Sequence, residues 1–152
     1  MVKCKMSNVK CKGFTLIEIL LVVAIIAILA SIVIIAINPA RQLSESRNTK
    51  RKADILVILN AVYQYDIDNA ELPATIGTGG TEICATGAVS CSGLVNLSVL
   101  TNSERYVVSI PADPLGSTVT GGTGYNISKS SYNRVTVTAP RAENGASITI
   151  SR

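Results

Sequence analysis

The chain has 152 residues, 47% of them apolar, with 14 Lys and Arg against 10 Asp and Glu and no His. That length fits one domain, and without His the commonest general base and zinc ligand are missing. The formal charge of +4 does not argue for a nucleic-acid partner of the whole chain. Lys3, Lys5, Lys10 and Lys12 all precede Gly13 with no acid among them, and the residues from Phe14 onward are balanced in charge.

The first segment, 1–13, is therefore a short basic leader. It carries Cys4 and Cys11, while Cys84 and Cys91 lie far downstream. Next comes an apolar run from Ile19 to Ile37 whose one polar side chain is Ser31. Counted from Phe14, a helix over 14–37 is about 36 Å long, enough for a hydrocarbon core of about 30 Å. The run is too long for the apolar region of a removable secretory signal. Glu18 sits one turn inside this stretch. A carboxylate in lipid costs roughly 2.5–3.5 kcal/mol, which makes it a functional-site candidate; the plainer reading is an acid at the headgroup edge. Charge alone leaves the orientation open, because Arg41, Arg47, Lys50, Arg51 and Lys52 follow on the other flank.

Asn38-Pro39 reads as the cap and first position of a restarted helix, with a kink between the two halves. Over 38–69, Ile55, Ile58, Leu59 and Val62 recur at i, i+3, i+4 and i+7, an amphipathic stripe that buries against later strands. Were both halves to run on, they would extend about 84 Å, longer than a globule of this size can cover. The first half must then find another host: the bilayer, and later neighbouring helices. Arg47, Lys50, Arg51 and Lys52 form a cationic cluster. A solvated face is preferred over contact with the phosphates of lipid or DNA.

The segment 70–152 reads as a loop followed by a small antiparallel sheet. Pro73–Ser92 is rich in Gly and Thr and reads as loop. Within it, an exported compartment favours a Cys84–Cys91 disulfide over free thiols or metal ligands. Leu94–Leu100 is short and irregular or helical, and Tyr106–Ile110 reads as a strand. Tyr125–Ser128 and Val135–Ala139 read as further strands, and Asn144-Gly145 signals a turn before Ile148 and Ile150. The fold class is α+β: a long hydrophobic helix continuing into an amphipathic helix packed on the sheet. Tyr63, Tyr65, Tyr106, Tyr125 and Tyr132 are read as core or rim residues. No catalytic constellation, phosphate loop or cofactor motif is visible, so no enzymatic activity, resident metal or cofactor is expected.

Lys12-Gly13-Phe14-Thr15-Leu16-Ile17-Glu18, followed by the apolar run, resembles the prepilin signature of bacterial type IV pilins and type II secretion pseudopilins. The resemblance is strong from Lys12 to about Ile37 and looser beyond. It implies a pilin-like fold, a prepilin peptidase cut between Gly13 and Phe14, and methylation of the new Phe14 amine. It also implies assembly into a helical filament of identical subunits, driven by an assembly ATPase and an inner-membrane platform protein. The leader would be cytoplasmic and the subunit held in the inner membrane by one span. After assembly it would lie in an extracellular pilus or a periplasm-spanning pseudopilus. The freed Phe14 amine would pair with Glu18 of a neighbour and set the axial stagger. One departure is that the apolar run lacks the helix-breaking Gly and Pro of many family members. Pro111-Ala112-Asp113-Pro114-Leu115-Gly116 looks like a turn of major pseudopilins near which calcium often lies. Asp113 is the only carboxylate between Glu104 and Glu143, so it is read as a turn residue. A pilus subunit is placed first, with a type II secretion pseudopilin and a minor DNA-uptake pilin as alternatives.

Overall fold

The computed structural model describes residues 13–152; the leader up to Lys12, with its lysines and with Cys4 and Cys11, lies outside the described residues. The chain divides into two compact units, Met1–Pro39 and Ala40–Arg152.

In the first unit, α1 spans Leu16–Ile37 and none of its residues is buried. Its 22 residues amount to about 33 Å of helix. Ile and Val are indifferent helix formers in water, but in lipid a helix satisfies every backbone donor and acceptor internally. The lone hydroxyl obeys the same rule: Ser31 Oγ donates to Ala27 O at 2.8 Å. Asn38 closes α1 in the left-handed region, φ 47° and ψ 75°, which Asn tolerates better than most residues. Asn38 therefore stands between two helices: it closes α1 and immediately precedes Pro39, where the next helix begins, as the Asn-Pro pair led one to expect. Pro39, with no N–H, starts the next helix where that donor would be unpaired anyway.

The next helix, α2, spans Pro39–Asn69 and belongs to the second unit from Ala40 onward. Its buried face is Asn48, Arg51, Ile55, Ile58, Leu59, Ala61 and Val62, spaced three and four apart. That face packs on a four-stranded antiparallel sheet in the order β1-β2-β3-β4. The strands are β1 Thr81–Cys84, β2 Gly122–Lys129, β3 Val135–Ala139 and β4 Ile148–Ser151. Ile127 lies opposite Val137, and Val137 opposite Ile150. The period-2 alternation puts Tyr125, Ile127, Val135, Val137 and Ile148 into one core with the α2 stripe. Each such side chain contributes about 1.5–3 kcal/mol on burial. The α+β architecture expected from sequence is the one observed.

Two local readings change and a third holds. Thr81–Cys84, taken as loop, is the edge strand β1, because Ile83 is buried in the core and the strand pairs with β2. Tyr106–Ile110, taken as a strand, joins no ladder: the Tyr106 and Val107 amides both donate to Leu100 O, folding the segment back on the short helix α3, Ser98–Thr101. Asn144-Gly145 does form a turn, with φ of 57° and 69°, the double positive φ for which Asn-Gly is suited.

Candidate functional site

At the head of α1, Gly13, Phe14 and Thr15 precede the first helical turn, and Phe14 is 78% exposed. An added Cβ on Gly13 would meet nothing within 4 Å. Thr15 is the N-cap, its side chain accepting from the Glu18 amide at 3.3 Å. Thr15-x-x-Glu18 has the spacing of a capping box, a local signal that the sequence reading passed over. Glu18 thus lies in the first turn, where the helix dipole favours an anion. Phe14 N is a peptide nitrogen here and carries no charge.

The cationic cluster on α2 divides into two kinds of residue. Lys50 and Lys52 are exposed. Arg51 is fully buried, and Arg47 is half-buried. The expectation of one solvated or phosphate-facing cluster is therefore corrected for these arginines, whose guanidinium groups are held by carboxylates of their own unit. Arg51 Nε donates to Asp113 Oδ2 at 2.6 Å and Nη2 to Oδ1 at 3.0 Å. Its Nη1 donates to Asn48 Oδ1 at 2.8 Å and Glu143 Oε2 at 2.9 Å. Arg47 grips Glu143 through two bonds of 2.7 and 2.6 Å. The Asn48 amide and the Glu143 backbone exchange bonds of 2.9 and 3.0 Å. Arg47 first and Arg51 second hold the Glu143 carboxyl down at about 2, and the bonds to Asp113 push the Arg51 guanidinium above its ordinary value.

Asp113 is accordingly more than a turn residue. It shapes the turn, accepting from Leu115 N at 2.8 Å through Oδ1, and it neutralises the buried arginine. Arg141 Nη1 donates to Leu115 O at 2.9 Å and Gly116 O at 2.8 Å. Gly124 is required here: its φ is +85°, and an added Cβ would stand 2.7 Å from the Asp113 Cβ. Nearby, Glu82 accepts from Gly124 N at 2.6 Å and from the Ser117 hydroxyl. Among the described residues no group of three His, Cys, Asp or Glu side chains is placed to hold a metal ion. Calcium wants 6–8 oxygen ligands, and the Asp113 oxygens already face a guanidinium, so the side chains at this turn do not fit the ion.

Cys84 and Cys91 are joined as a disulfide with Cα atoms 5.5 Å apart. It fastens the Ala85–Ser90 loop to the end of β1.

Residues 8–36 match the family model described as the prokaryotic N-terminal methylation motif. An apolar helix headed by this motif, with an α+β unit after it, defines a prepilin-type filament subunit. Type II secretion system core protein G of Escherichia coli (strain K12) is 36% identical over 110 residues, covering 71% of this chain and 69% of that protein. The core protein G of Pseudomonas aeruginosa is 32% identical over 105 residues, 69% of this chain and 68% of that protein. That of Aeromonas hydrophila is 28% identical over 111 residues, 69% and 68%. The chain belongs to the type II secretion system core protein G family of pseudopilins. These relatives make the pseudopilin reading at least as good as the pilus reading placed first from sequence. No solved structure matches the chain significantly.

Proposed function

We propose that the chain is a structural, non-enzymatic subunit of a type II secretion pseudopilus. It is held in the inner membrane by α1, cut between Gly13 and Phe14, and drawn into a filament by packing α1 against neighbouring copies. The observation that carries this reading is α1 itself. It is apolar along its length, has no buried residue, and has one acid in its first turn. A soluble subunit cannot leave so large an apolar surface in water; lipid covers it before assembly and other copies cover it afterwards.

Cleavage supplies the charge that Glu18 lacks. The new Phe14 amine stays cationic when methylated. In a water-excluded core, a misplaced subunit leaves a carboxylate and an amine both unpaired. Breaking such a pair costs about 3–5 kcal/mol, enough to select one axial stagger. A prepilin peptidase, an inner-membrane platform protein and an assembly ATPase are the machinery this scheme requires. A pilus pilin would use the same chemistry, and the named relatives favour secretion. The DNA-uptake reading loses support, because Arg47 and Arg51 are engaged by carboxylates and only Lys50 and Lys52 of that cluster are exposed.

The test is intact-mass analysis of the subunit from envelope fractions, paired with Glu18→Ala. The mature wild-type chain begins at Phe14 with one added methyl group. The variant is cut normally but yields few filaments by electron microscopy. Filaments of normal number and length from Glu18→Ala would exclude the pairing.

A further inference from the structure

The turn at Asp113–Gly116 gathers oxygen atoms of the kind that bind a hard divalent cation: the Asp113 carboxylate and the Leu115 and Gly116 carbonyls. In this chain two guanidinium groups meet those oxygens. Arg51 covers both oxygens of Asp113, and Arg141 bridges the two carbonyls. We infer that Arg51 and Arg141 act as built-in counter-cations of this turn, so that its closure and the stability of the globular unit need no calcium or other divalent ion.

The geometry leaves little room for an ion. Asp113 Oδ1 also accepts from Leu115 N, so the carboxylate already has three donors. Arg51 is fixed from its other side by Asn48 and Glu143 and is buried in the core of the unit. A divalent cation at Asp113 would have to displace a guanidinium that has no solvent to swing into, or lie beside it against like-charge repulsion. The guanidinium keeps its charge at every pH a bacterial envelope meets. Unlike a bound ion, it cannot be lost when external calcium falls.

The experiment uses the full chain in detergent micelles and reads the folded unit alone, so its result does not depend on filament assembly. Thermal unfolding is followed with calcium chloride added and with EGTA added. The expected midpoint is the same in both. A midpoint that falls in EGTA and recovers with calcium chloride overturns the inference. Arg141→Met supplies the second arm, since it leaves the Arg51–Asp113 pair intact. Amide hydrogen exchange at Leu115 and Gly116 should quicken by about tenfold or more, the effect of losing charge-assisted bonds to two carbonyls. Unchanged exchange in that variant also overturns the inference.

Discussion

Arg51→Met isolates the energetics of the globular unit. In the native chain the Arg51 and Asp113 side chains both have 0% exposure. Removing the arginine leaves a carboxylate in the core with one remaining donor, Leu115 N. Breaking one side of a buried pair costs about 3–5 kcal/mol. The low end applies here, because Glu143 at the edge of the cluster keeps 23% exposure and retains Arg47 as a partner. A unit of roughly 100 residues loses about 4 °C or more per kcal/mol, so a loss of about 3 kcal/mol lowers the midpoint by about 12 °C. Circular dichroism melts of the full chain in micelles measure it. Adding Asp113→Asn removes the stranded charge while keeping an oxygen for Leu115 N, and the double variant should melt above the Arg51→Met single variant. A midpoint for Arg51→Met within about 4 °C of wild type, or a double variant whose loss equals the sum of the two singles, would refute a coupled buried pair.

Acid should weaken the unit through Glu143. Its carboxyl titrates at about 2 in the fold against an ordinary 4.5, so its contribution is complete above the ordinary value and fades as pH falls from there towards about 2. Midpoints measured across that window should fall, and Glu143→Gln should flatten the dependence. Gly124→Ala puts a Cβ against the Asp113 Cβ and strains a positive φ; a loss of at least about 1–2 kcal/mol is expected from chemical denaturation. Cys84→Ser with Cys91→Ser opens a small loop, and the chain-entropy estimate for its length is about 2.5 kcal/mol. Unfolding by urea with and without reductant measures this last loss, and the double serine variant should no longer respond to reductant.

The two helices were legible because each obeys a rule that acts over a few residues. Ile19–Ile37 is one unbroken apolar run, and Pro39, lacking an N–H, is tolerated in the first turn of a helix far better than inside one. Val135–Ala139 was legible for a similar reason, since its alternation of Val and Thr suits one half-buried strand. Where local pattern was thin, reading failed. Thr81–Cys84 has too few residues to show a period. Tyr106–Ile110 has strand-like composition, but its first amides are taken by Leu100 O.

The residues proposed for the N-terminal site can be picked out in sequence because their spacing is local: Gly13, Phe14, Thr15 and Glu18 fall within one turn of the α1 start. The composition of the residues that follow decides that α1 is apolar throughout its length. Only the tertiary structure decided the fate of the arginines. Arg51 meets Asp113 across a separation of 62 residues and Glu143 across 92. Nothing in a run of charges on a helix says which of them a sheet will cover. Side-chain pairing at that distance follows from the packing of α2 on the strands, and so one cluster in sequence became two exposed lysines and two sequestered guanidinium groups.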